Sequence, residues 1–147
     1  LSPKSRTLSY SRYINKREIN QIGFEIISCA IDVHKELGPG LLESVYEKCM
    51  IHELLSRGFE TKSQVKVPVV YKGVHLETDL KADIVVNDLF VLEIKSTKEH
   101  HPVYESQTLT YMKLLKCPKG IIINFFTDKI TDSAIHLVNE LFRKLPN

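Results

Sequence analysis

DIVVNDLFVLEIK, residues 83–95, has the composition of a buried β-hairpin. Two runs of Val, Ile, Leu and Phe flank a polar Asn-Asp pair, a pattern that predicts two antiparallel strands and a turn. The same stretch carries Asp83, Glu93 and Lys95. An unpaired ion costs several kcal/mol or more when it leaves water, so these three charges need a structural or chemical reason.

The register of this hairpin decides whether the two acids meet, because directly opposed residues of an antiparallel ladder share a face. A two-residue turn would place Asp83 opposite Leu92 and turn the acids to opposite faces. A three-residue loop that pairs Val86 with Phe90, or a single β-bulge, places Asp83 opposite Glu93. We predict this second register, since it also collects the apolar side chains of both strands on the other face. These are Ile84, Val86, Phe90, Leu92 and Ile94.

Two amphipathic helices are predicted before the hairpin, over about residues 17–37 and 41–57, because apolar residues recur there at three- and four-residue steps. GPG at residues 38–40 separates them, and Gly58 is the expected stop of the second helix. The apolar side chains expected to point inward from the second helix are Leu42, Val45, Cys49 and Leu54.

Strands and helices alternate along the rest of the chain. VKVPVVY, residues 65–71, alternates apolar side chains on one face and predicts an edge strand, the position that tolerates Pro68. Residues 74–86 would continue from it into the hairpin as an antiparallel meander. The elements predicted after the hairpin are a helix over residues 102–115, the strand GIIINFF at residues 120–126, and a last helix over residues 132–144. The order ααββββαβα predicts a mixed sheet flanked by helices, an α/β or α+β fold.

The composition is that of an ordinary globular domain: 147 residues, 43% hydrophobic and 26% charged, enough for one core without disulfides or a structural metal. Cys29, Cys49 and Cys117 are odd in number and far apart, which predicts neither a disulfide framework nor a zinc site. With no run of 18 apolar residues and no signal-peptide pattern, we expect a cytoplasmic protein without a membrane partner. The net charge of +2 does not by itself imply a nucleic-acid partner.

Residues 1–16 are predicted to form a basic tail and residues 17–147 the folded domain. Basic side chains that face no acid lie at the start of the chain, namely Lys4, Arg6, Arg12, Lys16 and Arg17. They could form an arm that contacts phosphates. Composition favours a disordered tail or a cloning remnant instead.

The charges of the hairpin suit metal-assisted chemistry. Glu93 and Lys95 are two residues apart on one strand and project from the same face, and Asp83 lies on the preceding strand. Converging carboxylates suit Mg²⁺, and because close acids repel, at least one should have a raised pKa without metal. A lysine beside them would stabilise charge on a phosphate in the transition state. Alone, such a triplet is more often a set of solvent-facing charges.

GPGLLESVYE contains Gly40, Glu43 and Tyr46 in the pattern G-x-x-E-x-x-Y, and here the chain resembles the GxxExxY proteins of the PD-(D/E)XK nuclease superfamily. The resemblance runs from about Ile19 to Leu141. It also includes KADIVVNDLFVLEIKS for the superfamily signature, HPVYESQTLTYMK for a Q-x-x-x-Y helix and GIIINFF for the strand that follows. It implies a restriction-endonuclease-like core, in which a mixed sheet lies between helices.

The resemblance implies that Asp83 and Glu93 are metal ligands and that Lys95 is the catalytic lysine. It makes Glu43 an additional acid that reaches in from its helix; taken alone, Glu43 could simply favour the positive end of the helix dipole. Ala82 stands where the superfamily's name has proline, a variation that removes no ligand.

Gln107 and Tyr111 match the conserved helix pair of the branch that includes lambda exonuclease, and the resemblance therefore gives them a catalytic role. Four residues apart, they share one helix face, where an amide and a phenol could orient a water or touch a phosphate. Core packing is the alternative for Tyr111. His100 and His101 are expected to be solvated, because Mg²⁺ prefers oxygen ligands to imidazole.

The function that the residues and the resemblance imply is that of a Mg²⁺-dependent nuclease, with Mn²⁺ able to substitute and DNA favoured over RNA as the substrate. One alternative is a module that binds nucleic acid without cutting it. Another is a protein-interaction domain whose charged triplet is a surface ion-pair set, which predicts no salt-dependent affinity for polynucleotides. A homodimer is one possible oligomeric state.

Overall fold

The computed structural model describes residues 14–147. Its helices are α1 (Lys16–Leu37), α2 (Glu43–Ser56), α3 (Val103–Leu115), α4 (Ile130–Ser133) and α5 (Glu140–Arg143). Its strands are β1 (Thr61–Lys66), β2 (Val69–Tyr71), β3 (Val74–Leu76), β4 (Lys81–Val86), β5 (Phe90–Lys95), β6 (Lys119–Asn124) and β7 (Ile135–Val138). Most of the predicted basic tail lies outside the described residues, and Lys16 already belongs to α1. No helix in residues 14–147 combines the length and the apolar character needed to cross a membrane.

A five-stranded mixed sheet forms the centre of the molecule, in the order β1-β4-β5-β6-β7. β5 and β6 are parallel, and the other neighbouring strands are antiparallel. Parallel neighbours need a crossover connection, which α3 supplies between β5 and β6. β2 and β3 form a separate two-stranded ribbon. This is the predicted fold class, a mixed sheet flanked by helices as in restriction-endonuclease-like folds.

Each face of the sheet buries its own apolar cluster. On one face, called here the α1/α2 face, strand residues such as Leu92 and Ile121 pack with Ile26 and Met50 of the two long helices. The opposite face, called the α3 face, buries a smaller cluster that consists of Val67, Ala82, Val85, Val91, Tyr111, Met112 and Cys117. α3 lies directly against the sheet, since a Cβ added to Gly120 would come within 2.5 Å of Met112 Sδ.

The hairpin between β4 and β5 has the predicted register. Val86 pairs with Phe90 and Ile84 with Leu92, across the three-residue loop at residues 87–89. Asn87 and Asp88 have φ values of +52° and +54°, the left-handed conformation that short polar side chains tolerate best after glycine. The odd loop therefore places the apolar residues of both strands in the α1/α2 core, as predicted.

The predicted edge strand over residues 65–71 is wrong, because the chain leaves the central sheet at Pro68. β1 ends at Lys66, and after Val67 donates its N–H to Leu80 O at 2.9 Å, β2 pairs only with β3. Proline has no N–H to continue the ladder. The apolar residues of the ribbon are consequently exposed, with Tyr71 60% and Val74 58% accessible.

The predicted last helix over residues 132–144 is also wrong. α4 ends at Ser133, β7 then pairs antiparallel with β6, and α5 begins after Asn139, whose side chain accepts from Phe142 N at 3.3 Å. β6 would otherwise be an edge, and an unpaired edge leaves backbone donors and acceptors open. The tertiary need for a partner strand therefore overrides the helical spacing.

α1 buries most of the apolar residues at three- and four-residue steps that predicted it, namely Ile19, Ile22, Ile26, Ala30 and Val33, but leaves the last of them, Leu37, 37% exposed. The inner face of α2 also differs from the prediction. Leu42 precedes the helix and is 73% exposed, and Val45 is 37% exposed. Leu54 is buried as predicted, and the other buried side chains are Tyr46 and Met50. Tyr46 sets this phase, because its ring stacks on Phe125 with centroids 4.3 Å apart.

Candidate active site

β4 and β5 form a fork, and the acidic side chains lie at its opening. The two strands pair only as far as Ile84 and Leu92. Beyond that point β4 stays with β1, to the pair of Lys66 and Lys81, while β5 stays with β6 to its end at Lys95. The separation of neighbouring strands leaves backbone donors that need other partners.

Asp83 and Glu93 fill the fork by bonding to each other's strands. Asp83 N donates to Glu93 Oε2 at 2.9 Å, and Ile94 N donates to Asp83 Oδ2 at 2.8 Å. The two carboxylates therefore converge, as the predicted register requires. Each acid uses one oxygen on the backbone, so Asp83 Oδ1, which Gln64 Nε2 approaches to 3.4 Å, and Glu93 Oε1 are the oxygens free of backbone bonds.

Proximity and burial make the pair hard to ionise fully. Glu93 is 4% exposed. Burial, followed by the negative charge of Asp83, raises the pKa of Glu93 to about 8. Burial also raises the pKa of Asp83, and the charge of Glu47 adds to that rise. The expectation that at least one of the acids has a raised pKa is confirmed, and the site is one that a cation would relieve.

Lys95 lies beside the pair, and its positive charge acts against the rise in both carboxyl pKa values. Its Nζ is 4.4 Å from the centroid of the Tyr104 ring, a cation–π distance that holds the ammonium near the first turn of α3. Sequence reasoning did not assign a site role to Tyr104. The signal for it is its spacing of seven residues from Tyr111, which puts both phenols on one helix face.

Tyr111 is buried in the α3-face cluster, close enough for the charges of Asp83 and Glu93 to affect its pKa. Burial raises its pKa, and the charges of Glu93 and Asp83 raise it further. Its phenol is therefore a neutral hydrogen-bond donor at physiological pH. Gln107 lies one turn earlier on α3 and is exposed.

Two glutamates of α2 lie near the fork in different ways. Glu43 is exposed, and its Oε2 accepts from Ser96 N at 3.2 Å, immediately after Lys95. Glu47, one turn later, is the helix acid whose charge raises the pKa of both carboxylates in the fork. Sequence reasoning named Glu43 and missed Glu47, although the four-residue spacing puts both on one helix face.

Gln64 links Glu47 to the fork. Its Nε2 donates to Glu47 Oε1 at 3.0 Å and lies 3.4 Å from Asp83 Oδ1. Gln64 has φ +50°, and it interrupts the β1–β4 ladder between the pairs of Ser63 with Ile84 and Val65 with Ala82. The register is the same on both sides of Gln64, so the distortion is a single left-handed residue within the strand, a conformation that the residue types do not predict.

The donor set fits a hard cation with few protein ligands. No group of three or more His, Cys, Asp or Glu side chains within residues 14–147 is arranged to hold a metal ion. Mg²⁺ is usually held by one or two carboxylates and keeps several waters, which matches a site of two acids with one available oxygen each.

The two histidines after β5 have other partners. His100 Nε2 lies 3.0 Å from Glu105 Oε2, and His101 Nδ1 accepts from Val103 N at 3.2 Å. Both side chains are exposed, and both contacts lie near the start of α3.

Comparison with protein families supplies one finding: residues 20–137 match the model of the PD-(D/E)XK nuclease superfamily. The matched range includes the fork, both glutamates of α2, and α3. Comparison with curated proteins gives no match, and comparison with solved structures gives none.

Proposed function

Since this chain belongs to the PD-(D/E)XK nuclease superfamily, we propose that it is a metal-dependent nuclease that hydrolyses phosphodiester bonds in DNA. One observation carries the proposal: a buried pair of acids with raised pKa values lies in a strand fork beside a lysine. Strongly perturbed acids of this kind mark functional sites more often than structural ion pairs do.

Asp83 and Glu93 are the residues that would hold the ion, through the oxygens not bonded to backbone. A bound Mg²⁺ or Mn²⁺ would activate water and neutralise charge on a phosphate. The backbone bonds to Glu93 Oε2 and Asp83 Oδ2 fix both carboxylates before any ligand arrives. Such preorganisation avoids reorganisation when the reaction occurs.

Lys95 supplies a fixed positive charge for the phosphate. The face of the Tyr104 ring restrains the ammonium without neutralising it, since an aromatic ring carries no net charge. Tyr111, neutral because of its raised pKa, can donate a hydrogen bond to a phosphate oxygen or to the attacking water. Gln107, exposed one turn away, is assigned to contact the substrate.

Glu43 and Glu47 of α2 have different roles in this proposal. Glu43 holds the backbone of Ser96 and so fixes the end of β5 beside Lys95. Glu47 acts through Gln64, whose amide orients Asp83. We assign Glu47 as a positioning residue, and Glu43 as an additional acid beside the end of β5, where it holds Ser96.

A surface ion-pair set is a poor description of this triplet. An exposed ion pair contributes about 0–1 kcal/mol to folding stability and consists of two opposite charges in contact with water. Here Glu93 is 4% exposed, and the neighbouring charge that affects its pKa most, that of Asp83, has the same sign. Repulsion of this kind does not serve an interaction domain.

The direct test is cleavage of single- and double-stranded DNA and RNA with Mg²⁺, with Mn²⁺, or with a chelator. We expect cleavage that needs metal and is lost in Asp83→Asn and Glu93→Gln, while Glu99→Gln, which changes an exposed acid, retains it. All variants are purified in parallel to exclude a contaminating nuclease. Metal binding and salt-dependent DNA affinity without cleavage would favour the binding module, and cleavage that persists in Glu93→Gln would contradict the assigned site.

A further inference from the structure

A cavity of about 410 Å³ lies on the α1/α2 face, on the opposite side of the sheet from the acid pair. α1 contributes Phe24, Ile27 and Ile31 to its walls, and Lys119 and His136 come from β6 and β7. Ligand cavities typically have volumes of about 300–1,000 Å³, with apolar walls and a few polar groups. The cavity thus has the size and the lining of a small-molecule site.

Lys119 is the unusual group in this lining. It is 8% exposed, and no carboxylate of residues 14–147 lies within 4.0 Å of its Nζ. The Phe142 ring lies 5.1 Å from Nζ, so an aromatic face is the contact that partly compensates the ammonium. Lysine is rarely buried to this extent without an acid, because desolvation of the charge is costly.

The ionisation of both polar groups follows from this environment. Burial lowers the pKa of Lys119. Burial, together with the charge of Lys119, lowers the pKa of His136. His136 is therefore mostly neutral near pH 7, and the cavity presents one ammonium to a ligand.

We propose that this cavity binds a small amphipathic carboxylate, whose acid group pairs with Lys119 and whose apolar body lies along Phe24, Ile27 and Ile31. A single cation at one end of apolar walls complements a ligand with one anionic group and an apolar chain. Phe24 is 71% exposed although it lines the cavity, so an apolar ligand would cover it. The site shares no residue with the fork and does not depend on nuclease activity.

The test uses octanoate and its neutral counterpart octanamide, titrated into the full chain and followed by amide NMR. We expect octanoate to shift the signals of Gly23, Phe24 and Lys119 and to bind about tenfold or more tightly than octanamide, as a charge-assisted contact requires. This comparison needs no variant. Equal affinity for the two compounds, or no shift at the cavity, would overturn the proposal.

Two variants localise the site. Lys119→Met should remove the preference for octanoate, whereas Lys113→Met, which changes an exposed lysine on α3, should keep it. Ile27→Trp should abolish binding of both compounds by filling the cavity. A preference for octanoate that persists in Lys119→Met would overturn the proposal. A dimer that forms with rising protein concentration and covers the cavity would also overturn it, because a second copy of the chain would then be the occupant.

Discussion

Each face of the central sheet carries a buried ionisable side chain, and the groups that surround the two side chains differ in charge and polarity. On the α3 face, Glu93 lies against Asp83, an acid of the same sign, and both have raised pKa values. On the α1/α2 face, Lys119 lies against apolar and aromatic groups, and its pKa is lowered. Neither site stabilises the ionised form of its own residue, so both charges cost folding free energy in the ligand-free chain.

The contrast between the two sites shows how the surroundings of a buried charge select the sign of the ligand. Like charges brought together by a strand fork create a need for a cation, whereas a single ammonium in apolar walls creates a need for an anion. β5 and β6 are direct neighbours, and Phe90 pairs with Lys119 in their ladder. One pair of strands therefore presents opposite electrostatic demands to its two sides, because side chains alternate across a strand.

The largest effect expected concerns the cation of the acidic face. Lys95→Ala should leave the protein folded and able to bind divalent metal, but should lower cleavage by about two or more orders of magnitude, as loss of transition-state charge stabilisation does. Single-turnover cleavage with saturating Mg²⁺ measures this, with Lys113→Ala as the matched control. Unchanged cleavage would remove Lys95 from the mechanism.

Glu93→Gln should raise the stability of the metal-free protein at pH 8 by about 2 kcal/mol, or roughly 4–8 °C in Tm. The folded pKa of about 8 lies above the ordinary value of 4.5, so the folded state binds more protons between those pH values. Stability should therefore fall as pH rises through this window in the wild type, and the fall should be smaller in the variant.

Melting curves from pH 4 to pH 9 in chelator measure both effects, with Glu99→Gln as the control. Added Mg²⁺ should offset the loss in the wild type, since a ligand that binds the folded state stabilises it. A wild-type stability that is flat from pH 5 to pH 8 would mean that the acids do not repel as described.

Lys119→Met should stabilise the ligand-free protein by about 1 kcal/mol at pH 7, because it replaces a desolvated ammonium with an apolar group of similar length. The wild type should gain stability as pH rises between the lowered pKa of the folded state and the ordinary value of 10.5, where the folded chain binds fewer protons. Chemical denaturation at pH 7 and at pH 10 tests the sign. Destabilisation at pH 7 would show that the cation–π contact with Phe142 outweighs desolvation.

The smallest effect expected concerns Glu47 of α2. Glu47→Gln should change cleavage only about threefold, since its amide can still bond Gln64 while its repulsion of the fork is removed. The pH at which cleavage rises should shift downward, because one cause of the raised pKa of Asp83 is gone. An unaltered pH profile would mean that Glu47 does not act on the fork.

The sequence predicted the fold best where two constraints agree. In the hairpin, the apolar period and the convergence of the acids both require an odd loop. The last predicted helix failed because Ile135 and Val138 are spaced as a helix requires, while Ile135 and Leu137 fit a strand equally well, and only the open edge of β6 decides between them.

The convergence of Asp83 and Glu93 was predictable from the hairpin, and arrangements that depend on packing were not. Glu47 enters the site only because Tyr46 and Met50 set the phase of α2. Lys119 looks like an ordinary polar residue at a strand start, yet it is buried, and the aromatic ring beside its ammonium, Phe142, comes from α5. The four-residue spacing from Glu43 indicates the helix face of Glu47 but not its contact with Gln64, and no local pattern predicts the burial of Lys119.

The loop at residues 87–89 limits which insertions and deletions this chain can tolerate. Asn87 fixes the loop, since its N–H donates to Glu60 O and its Oδ1 accepts from Glu60 N. A deletion of one codon here would shift the pairing by one residue and turn every side chain of one strand to the other face. This one deletion would disrupt both the packing of the core and the convergence of Asp83 and Glu93. The length of the loop is therefore constrained as strictly as the identity of Asp83 or Glu93. Asn87 is constrained as well, because its side chain is 1% exposed and holds Glu60.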